Sequence, residues 1–148
     1  MTKNFVNILF LEKVKIMFEE GKIYRRSELH DKFGGQRQGG ISTPRLFPFI
    51  MLFSSESAEE FGYVDGFKSK DIYWYTGEGQ IGDMQFIRGN RAIKDSNKNG
   101  KSIHVFEYVS TGIVRYIGEM SYIKHHESQT PDINGDLRRA IIFELACE

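Results

Sequence analysis

The chain has a single cysteine, Cys147. One thiol excludes a disulfide framework and a four-cysteine zinc site within the chain. It fits a reducing compartment, and a cytoplasmic, nucleoid-associated location is expected. No apolar run approaches the ~18 residues that a membrane-spanning helix needs. Met1 to Glu20 carries acids and lysines among its apolar positions and lacks a signal-peptide cleavage pattern, so no membrane partner is expected. Net charge is missing too, because 20 Lys and Arg balance 20 Asp and Glu. That balance counts against strong non-specific binding to nucleic acid but leaves room for a local basic face.

Catalytic signatures are equally scarce. No serine sits in a G-x-S-x-G elbow. Gly77-x-Gly79-x-x-Gly82 lacks the Lys-Ser/Thr of a phosphate loop, and no helix pattern or βαβ unit surrounds it to make a dinucleotide site. His125-His126 is the only histidine pair, and no second histidine follows on a helix as an HNH nuclease centre requires. No Asp…Glu-x-Lys set stands on paired strands, and Glu107 and Glu119 are read as strand-face charges. No catalytic residue, metal ligand or cofactor is expected in this chain.

What remains is glycine and aromatic side chains: 15 Gly, 12 Phe and 7 Tyr in 148 residues. That length allows one domain with one core, and the aromatic content favours β structure. Phe5 to Glu20 has a partly helical apolar spacing ended by Gly21, with a strand left open. Ser27 can cap a short helix that ends at Gly34. Pro44 and Pro48 break any helix in the apolar stretch Ile41 to Phe53, where an extended piece leads into a buried strand. Ser54 to Phe61 is a polar connection. Strands are expected over Ile72 to Thr76, Ser102 to Val109, Gly112 to Ile123 (one or two) and Leu137 to Leu145. A short helix is expected over Asn90 to Asp95, a hairpin turn at Asn99-Gly100 and a loop over His125 to Gly135. The class is α+β, mainly β: a curved or barrel-like sheet with short flanking helices.

The organising stretch is Gly62 to Ile93. Tyr63 and Tyr75 each precede turn-forming residues, Asp65-Gly66 and Gly77-Glu78-Gly79. Glycines between aromatics let backbone approach a flat ligand, while the rings supply stacking area. Upstream, Gly34-Gly35-Gln36-Arg37-Gln38-Gly39-Gly40 sets long polar side chains on a glycine-flanked loop, and Arg and Gln are side chains that pair with base edges.

Tyr63-x-Asp65-Gly66, Tyr75-Thr76-Gly77-Glu78-Gly79-Gln80, Gly89-Asn90-Arg91-Ala92-Ile93, Gly100-Lys101 and Ile103-His104-Val105-Phe106 resemble the motif series of the SRA (SET and RING associated) domain. The likeness is to the branch in bacterial modification-dependent HNH endonucleases, and it extends upstream through Tyr24-Arg25-Arg26-Ser27-Glu28-Leu29-His30 to cover roughly Gly21 to the C-terminus. It implies one SRA (PUA-like) domain over 1–148, with 1–20 as an N-terminal extension. The implied function is reading duplex DNA by flipping a modified cytosine, 5-methyl or 5-hydroxymethyl, into a pocket. Tyr63 and Tyr75 would be the two plates, Thr76 and Gly77 the wall and Asp65 the reader of the base edge. In eukaryotic SRA readers the acid stands three positions after the first tyrosine. Here that place is Gly66, so Asp65 either does the job through a shifted turn or only shapes the turn.

Gln36, Arg37 and Gln38 are the loop candidates for the gap left by the base. Ser42, Arg45, Arg88, Asn90, Arg91 and Lys94, with Thr43, are candidates for phosphate contacts. The implied partner is a linked HNH nuclease domain outside this chain, to which any divalent metal would belong. A homodimer is left open, and the end at Glu148 is where a connection to a nuclease is expected. Another modified base (6-methyladenine, glucosylated cytosine), RNA, or a small stand-alone hydrolase or nuclease are the alternatives.

Overall fold

A computed structural model describes residues 18–54 and 65–148. Most of the N-terminal extension, the connection after Ser54 and Tyr63 lie outside the described residues.

The stretch Phe49–Ser54 (β3) explains the architecture. Its apolar run does not alternate with polar residues, and the strand is buried along its length, the pattern of a strand covered on both faces. Ile50 and Leu52 enter a core with Ile103, Val105, Tyr73, Tyr75 and Phe143. Phe49, Met51 and Phe53 point the other way, into a second core with Phe18, Leu29, Phe33, Phe106 and Tyr116. Pro48 precedes the strand as expected, and its carbonyl accepts the Ser102 N–H at 3.2 Å.

The remaining strands are β1 (Ile23–Arg25), β2 (Ile41–Ser42), β4 (Gly66–Phe67), β5 (Ile72–Thr76), β6 (Ser102–Ser110), β7 (Ile113–Pro131) and β8 (Leu137–Cys147). They form one open mixed sheet in the order β2-β3-β6-β7-β8-β5-β4, with β1 on the first part of β7. Among the described residues only the β3–β6 pairing is parallel. β7 serves two neighbourhoods: its first half pairs with β6 and its second with β8. The register slips between Val105 and Phe106 and again between Tyr122 and Lys124. Such bulges bend a strand and increase its twist, which curves this sheet.

Two short helices flank it among the described residues: α1 (Arg26–Phe33) and α2 (Arg88–Lys94). α1 begins before Ser27, so Ser27 is not its cap. Arg25 holds that position in extended geometry without a side-chain hydrogen bond. Gly34 ends α1 as expected, with φ 80° and its N–H on the His30 carbonyl.

Two further expectations need correction. Asn99-Gly100 is a turn, with Gly100 at φ 65°, but it joins α2 to β6 and makes no hairpin. His125 to Pro131 is not a loop but the second half of β7. Its polarity misled because it packs at a half-covered face: His125 stacks near Tyr122 and Phe86, and His126 bonds Glu144 at 2.9 Å. The true turn is shorter, and the Asp132 carboxylate closes it by accepting the Asn134 and Asp136 N–H groups.

Candidate functional site

β5 ends against the middle of β8, with Tyr75 opposite Phe143 and Thr76 opposite Ile142. Beyond Thr76 the chain leaves the sheet through Gly77-Glu78-Gly79-Gln80, and a cavity of about 440 Å³ opens there. Asp65, Tyr75, Thr76 and Gly77 line it on one side, with Glu78, Gly79 and Gln80 at its rim. Phe53, Tyr108, Arg26 and the backbone of Gly39 and Gly40 line the other. Four of the five base-pocket candidates are therefore gathered around one cavity, and the fifth, Tyr63, lies outside the described residues.

Tyr75 is held as a fixed plate. It is 4% exposed, and its hydroxyl donates to the Phe53 carbonyl at 3.1 Å. Burial pushes its hydroxyl well above the ordinary tyrosine range, so it stays protonated as a donor. A Cβ on Gly40 would overlap that hydroxyl, so only glycine allows the loop backbone to lie on the ring.

Asp65 is tied to the wall. Its Oδ1 accepts from the Thr76 N–H at 2.7 Å and the Thr76 hydroxyl at 2.6 Å. Among the described residues its Oδ2 is held only lightly, by the Ser54 hydroxyl at 3.4 Å. Burial raises the Asp65 carboxyl above the usual range, while the Thr76 and Ser54 hydrogen bonds and Lys68 pull it back. Asp65 thus shapes the end of β5 through one oxygen and leaves the other as the site's weakly engaged acceptor.

The rim is braced from two sides. Gly77 faces Asn90, whose Oδ1 would stand 2.7 Å from a Cβ there. Asn90 is 1% exposed; it accepts the Glu78 N–H and donates to the Glu78 and Gln85 carbonyls. Further on, Gly82 N–H reaches Asp132, Arg138 reaches the Gly82 carbonyl, and the Ile133 N–H reaches the Gln80 carbonyl. The rim is therefore docked on the β7–β8 turn.

The phosphate candidates separate by exposure. Arg45 and Arg88 are exposed and make no ion pair among the described residues. Arg91 is exposed beside Asp95 at 3.4 Å, and the Lys94 ammonium sits 4.3 Å from the Phe86 ring centroid. Arg88 adopts φ 48°, the only positive φ among the described non-glycine residues. Ser42 and Asn90 are corrections: both are buried, so neither side chain is set out for a phosphate. The Ser42 hydroxyl packs against Gly35, and Asn90 is fully engaged in bracing the rim.

Of the loop candidates, Gln36 is tied to Thr43 through the Thr43 N–H at 2.7 Å, and Arg37 pairs with Asp31 at 2.6 Å. Gln38 is exposed, with no side-chain hydrogen bond among the described residues.

Sequence reasoning missed Arg26, Phe53 and Tyr108. Arg26 enters the sequence reading only within the Tyr24 to His30 motif, and Phe53 and Tyr108 only within expected strands. Only the packing of α1 on the sheet brings them to the cavity.

The mixed, bulged sheet carries a glycine-rimmed pocket lined by Tyr75 and the half-buried Asp65 carboxylate, and the family comparison makes the chain an SRA domain. The model of the ScoMcrA-like SRA domain matches residues 20–147, and the chain belongs to that family. The sulfur-binding and SRA domains of ScoMcrA, complexed with phosphorothioated DNA, superpose with a TM-score of 0.70 at 19% identity. The match covers 87% of this chain and 39% of that one. The type IV phosphorothioation-dependent restriction endonuclease ScoMcrA gives 0.71 at 19% identity, over 87% of this chain and 24% of that one. This chain therefore spans well under half of either. The SUVH5 SRA domain in complex with hemi-methylated CG DNA gives 0.62 at 23% identity, covering 88% of each chain. A search of curated proteins found no significant match.

Proposed function

We propose that this chain reads modified duplex DNA by receiving a flipped cytosine, 5-methyl or 5-hydroxymethyl, in the pocket beside Tyr75. The observation that carries this reading is the joint placement of a fixed aromatic face, a lightly engaged carboxylate oxygen and bare glycine backbone around one cavity. Unstacking a base costs a few kcal/mol. Stacking on an aromatic face returns ~1–3 kcal/mol per base. Asp65 Oδ2 accepts from the cytosine amino group, and backbone N–H groups of the rim donate to its O2 and N3. Tyr63 supplies the second plate. Arg45, Arg88, Arg91 and Lys94 contact phosphates, and the 36–38 loop enters the gap left by the base.

Membership of the SRA family supports DNA as the partner. Several similar structures are complexes with methylated or hydroxymethylated DNA. The domain would direct an HNH nuclease domain of the same polypeptide, which alone needs a divalent metal, to modified foreign DNA. A different modification is the second reading, because the ScoMcrA complex holds phosphorothioated DNA. One duplex sequence carrying cytosine, 5-methylcytosine, 5-hydroxymethylcytosine, 6-methyladenine or a phosphorothioate linkage separates these readings by affinity at fixed salt. Equal binding to all of them defeats the proposal.

A further inference from the structure

Arg26 is a charged side chain that is only 6% exposed, yet it has no carboxylate partner among the described residues. Burying a charge without compensation costs several kcal/mol. Here the compensation is a set of neutral acceptors. Nη1 donates to the Gly39 carbonyl at 2.8 Å and the Tyr108 hydroxyl at 2.6 Å. Nη2 donates to the Gln36 carbonyl at 3.2 Å, and Nε to His30 Nε2 at 3.0 Å. The guanidinium also lies over the Phe53 ring, 3.9 Å from its centroid. Two of these partners, Gln36 and Gly39, are backbone carbonyls at the two sides of the glycine-rich loop. The other anchors, Tyr108 and Phe53, belong to the sheet and line the pocket.

We propose that Arg26 is a positioning residue that latches the 34–40 loop to the pocket wall, so that one guanidinium sets loop and pocket in register. The proposal rests on the DNA-reader reading of this site. Arg26 need not touch DNA to matter. It holds Gly40 against Tyr75 and presents Gln38 at a fixed place. Lysine cannot replace it, because an ammonium lacks the planar fork that reaches four acceptors at once.

His30 completes the latch. Its Nδ1 faces the Gly34 carbonyl at 2.8 Å and must donate, which leaves Nε2 free to accept from Arg26. A second proton on the ring would set N–H against N–H. The charged groups facing His30 are Arg26 and Asp31 from α1 and Arg37 from the loop. β3 offers the Phe53 ring at 5.7 Å, and β6 reaches it only through Tyr108 and Arg26. Burial, with the two arginines, holds His30 below the ordinary histidine range, so it is neutral at pH 7. Acidification opens the latch.

The test compares wild type, Arg26→Lys, Arg26→Gln and His30→Gln. Backbone heteronuclear NOEs of residues 35–40 in the free chain report the loop without DNA. Anisotropy with modified and unmodified duplexes reports binding. Both Arg26 variants should lose loop NOE and bind the modified duplex at least ~10-fold more weakly, about 1.4 kcal/mol. The salt slope should not change, because no phosphate contact is lost. Wild type should lose loop order on acidification to below the ordinary histidine range, and His30→Gln should lose that step. Unchanged loop NOEs in both Arg26 variants overturn the latch. A salt slope reduced by about one in Arg26→Gln makes Arg26 a phosphate ligand and also overturns it. If wild type does not distinguish the duplexes, the reader proposal fails, and the NOEs of the free chain still decide the latch.

Discussion

Asn90 grips both ends of one peptide unit run at Glu78: its Oδ1 accepts the Glu78 N–H at 2.8 Å and its Nδ2 donates to the Glu78 carbonyl at 2.8 Å. Glu78 answers with its side chain, which accepts the Gly89 N–H at 3.0 Å. The start of α2 and the pocket rim are thereby one unit, eleven to twelve residues apart in sequence.

Asn90→Ala removes this clip and its three part-buried hydrogen bonds to the backbone of Glu78 and Gln85. Each lost hydrogen bond of this kind is worth about 0.5–1.5 kcal/mol. Denaturant titration should show a loss of roughly 2–4 kcal/mol, large for a single substitution. Full stability with a weaker salt dependence of DNA binding would return Asn90 to the role of phosphate ligand.

Asp65 carries a pH signature. Burial raises its folded-state pKa, so the folded chain takes up the proton more readily than the unfolded chain. Its contribution is therefore fully present below the unfolded carboxyl value and is lost as pH rises through the raised folded value. Asp65→Asn abolishes that loss while keeping an acceptor for Thr76. The stability of the variant relative to wild type should rise with pH across the carboxylate range and then level off. Its preference for the modified duplex should fall. A stability difference that does not vary with pH contradicts this account of Asp65.

Tyr75 and Gly40 should be energetically coupled. Gly40→Ala forces a Cβ into the Tyr75 hydroxyl, with the Phe53 carbonyl only 3.2 Å away. Overpacking of this kind costs about 1–3 kcal/mol. Tyr75→Phe removes the obstructing oxygen and costs about 1 kcal/mol for its hydrogen bond to Phe53. The double variant should be more stable than the two single losses predict, by about 0.5–1 kcal/mol or more in a thermal-unfolding cycle. Strict additivity would mean that the loop does not rest on Tyr75.

The segment-level pattern was legible because each segment states its own environment. The apolar stretch that ends at Phe53 reads as an extended piece and then a buried strand, and Ile72 to Thr76 as a strand. Both are found so. Asp65, Tyr75, Thr76 and Gly77 were legible as a set because local turns link them. Ser42 and Asn90 were misassigned because a polar side chain beside a basic cluster looks the same whether it faces phosphate or backbone. The roles of Arg26 and His30 depend on where α1 packs, and the polar run His125 to Thr130 is a strand because β8 supplies its partner. Neither fact is written in the local sequence.

The exposed cations separate from the braced polar residues by salt dependence. Arg45→Ala, Arg88→Gly and Arg91→Ala should leave stability within about 0.5 kcal/mol. Glycine at 88 suits the φ of 48° found there, and relief of that strain offsets its entropic cost. Each variant that loses a phosphate contact should lower the slope of log affinity against log salt by about 0.9. Unchanged slopes in all three would place the DNA on another face.

The most direct test of the central claim is the affinity of wild type and Tyr75→Leu for one duplex carrying unmodified, 5-methyl or 5-hydroxymethyl cytosine, at one salt concentration. Leucine keeps the bulk of the core and removes the aromatic face. Wild type should bind a modified duplex at least ~10-fold more tightly than the unmodified one, about 1.4 kcal/mol, and Tyr75→Leu should lose this margin while remaining folded. Equal affinities in wild type, or a preference that survives in Tyr75→Leu, would contradict a base read in this pocket.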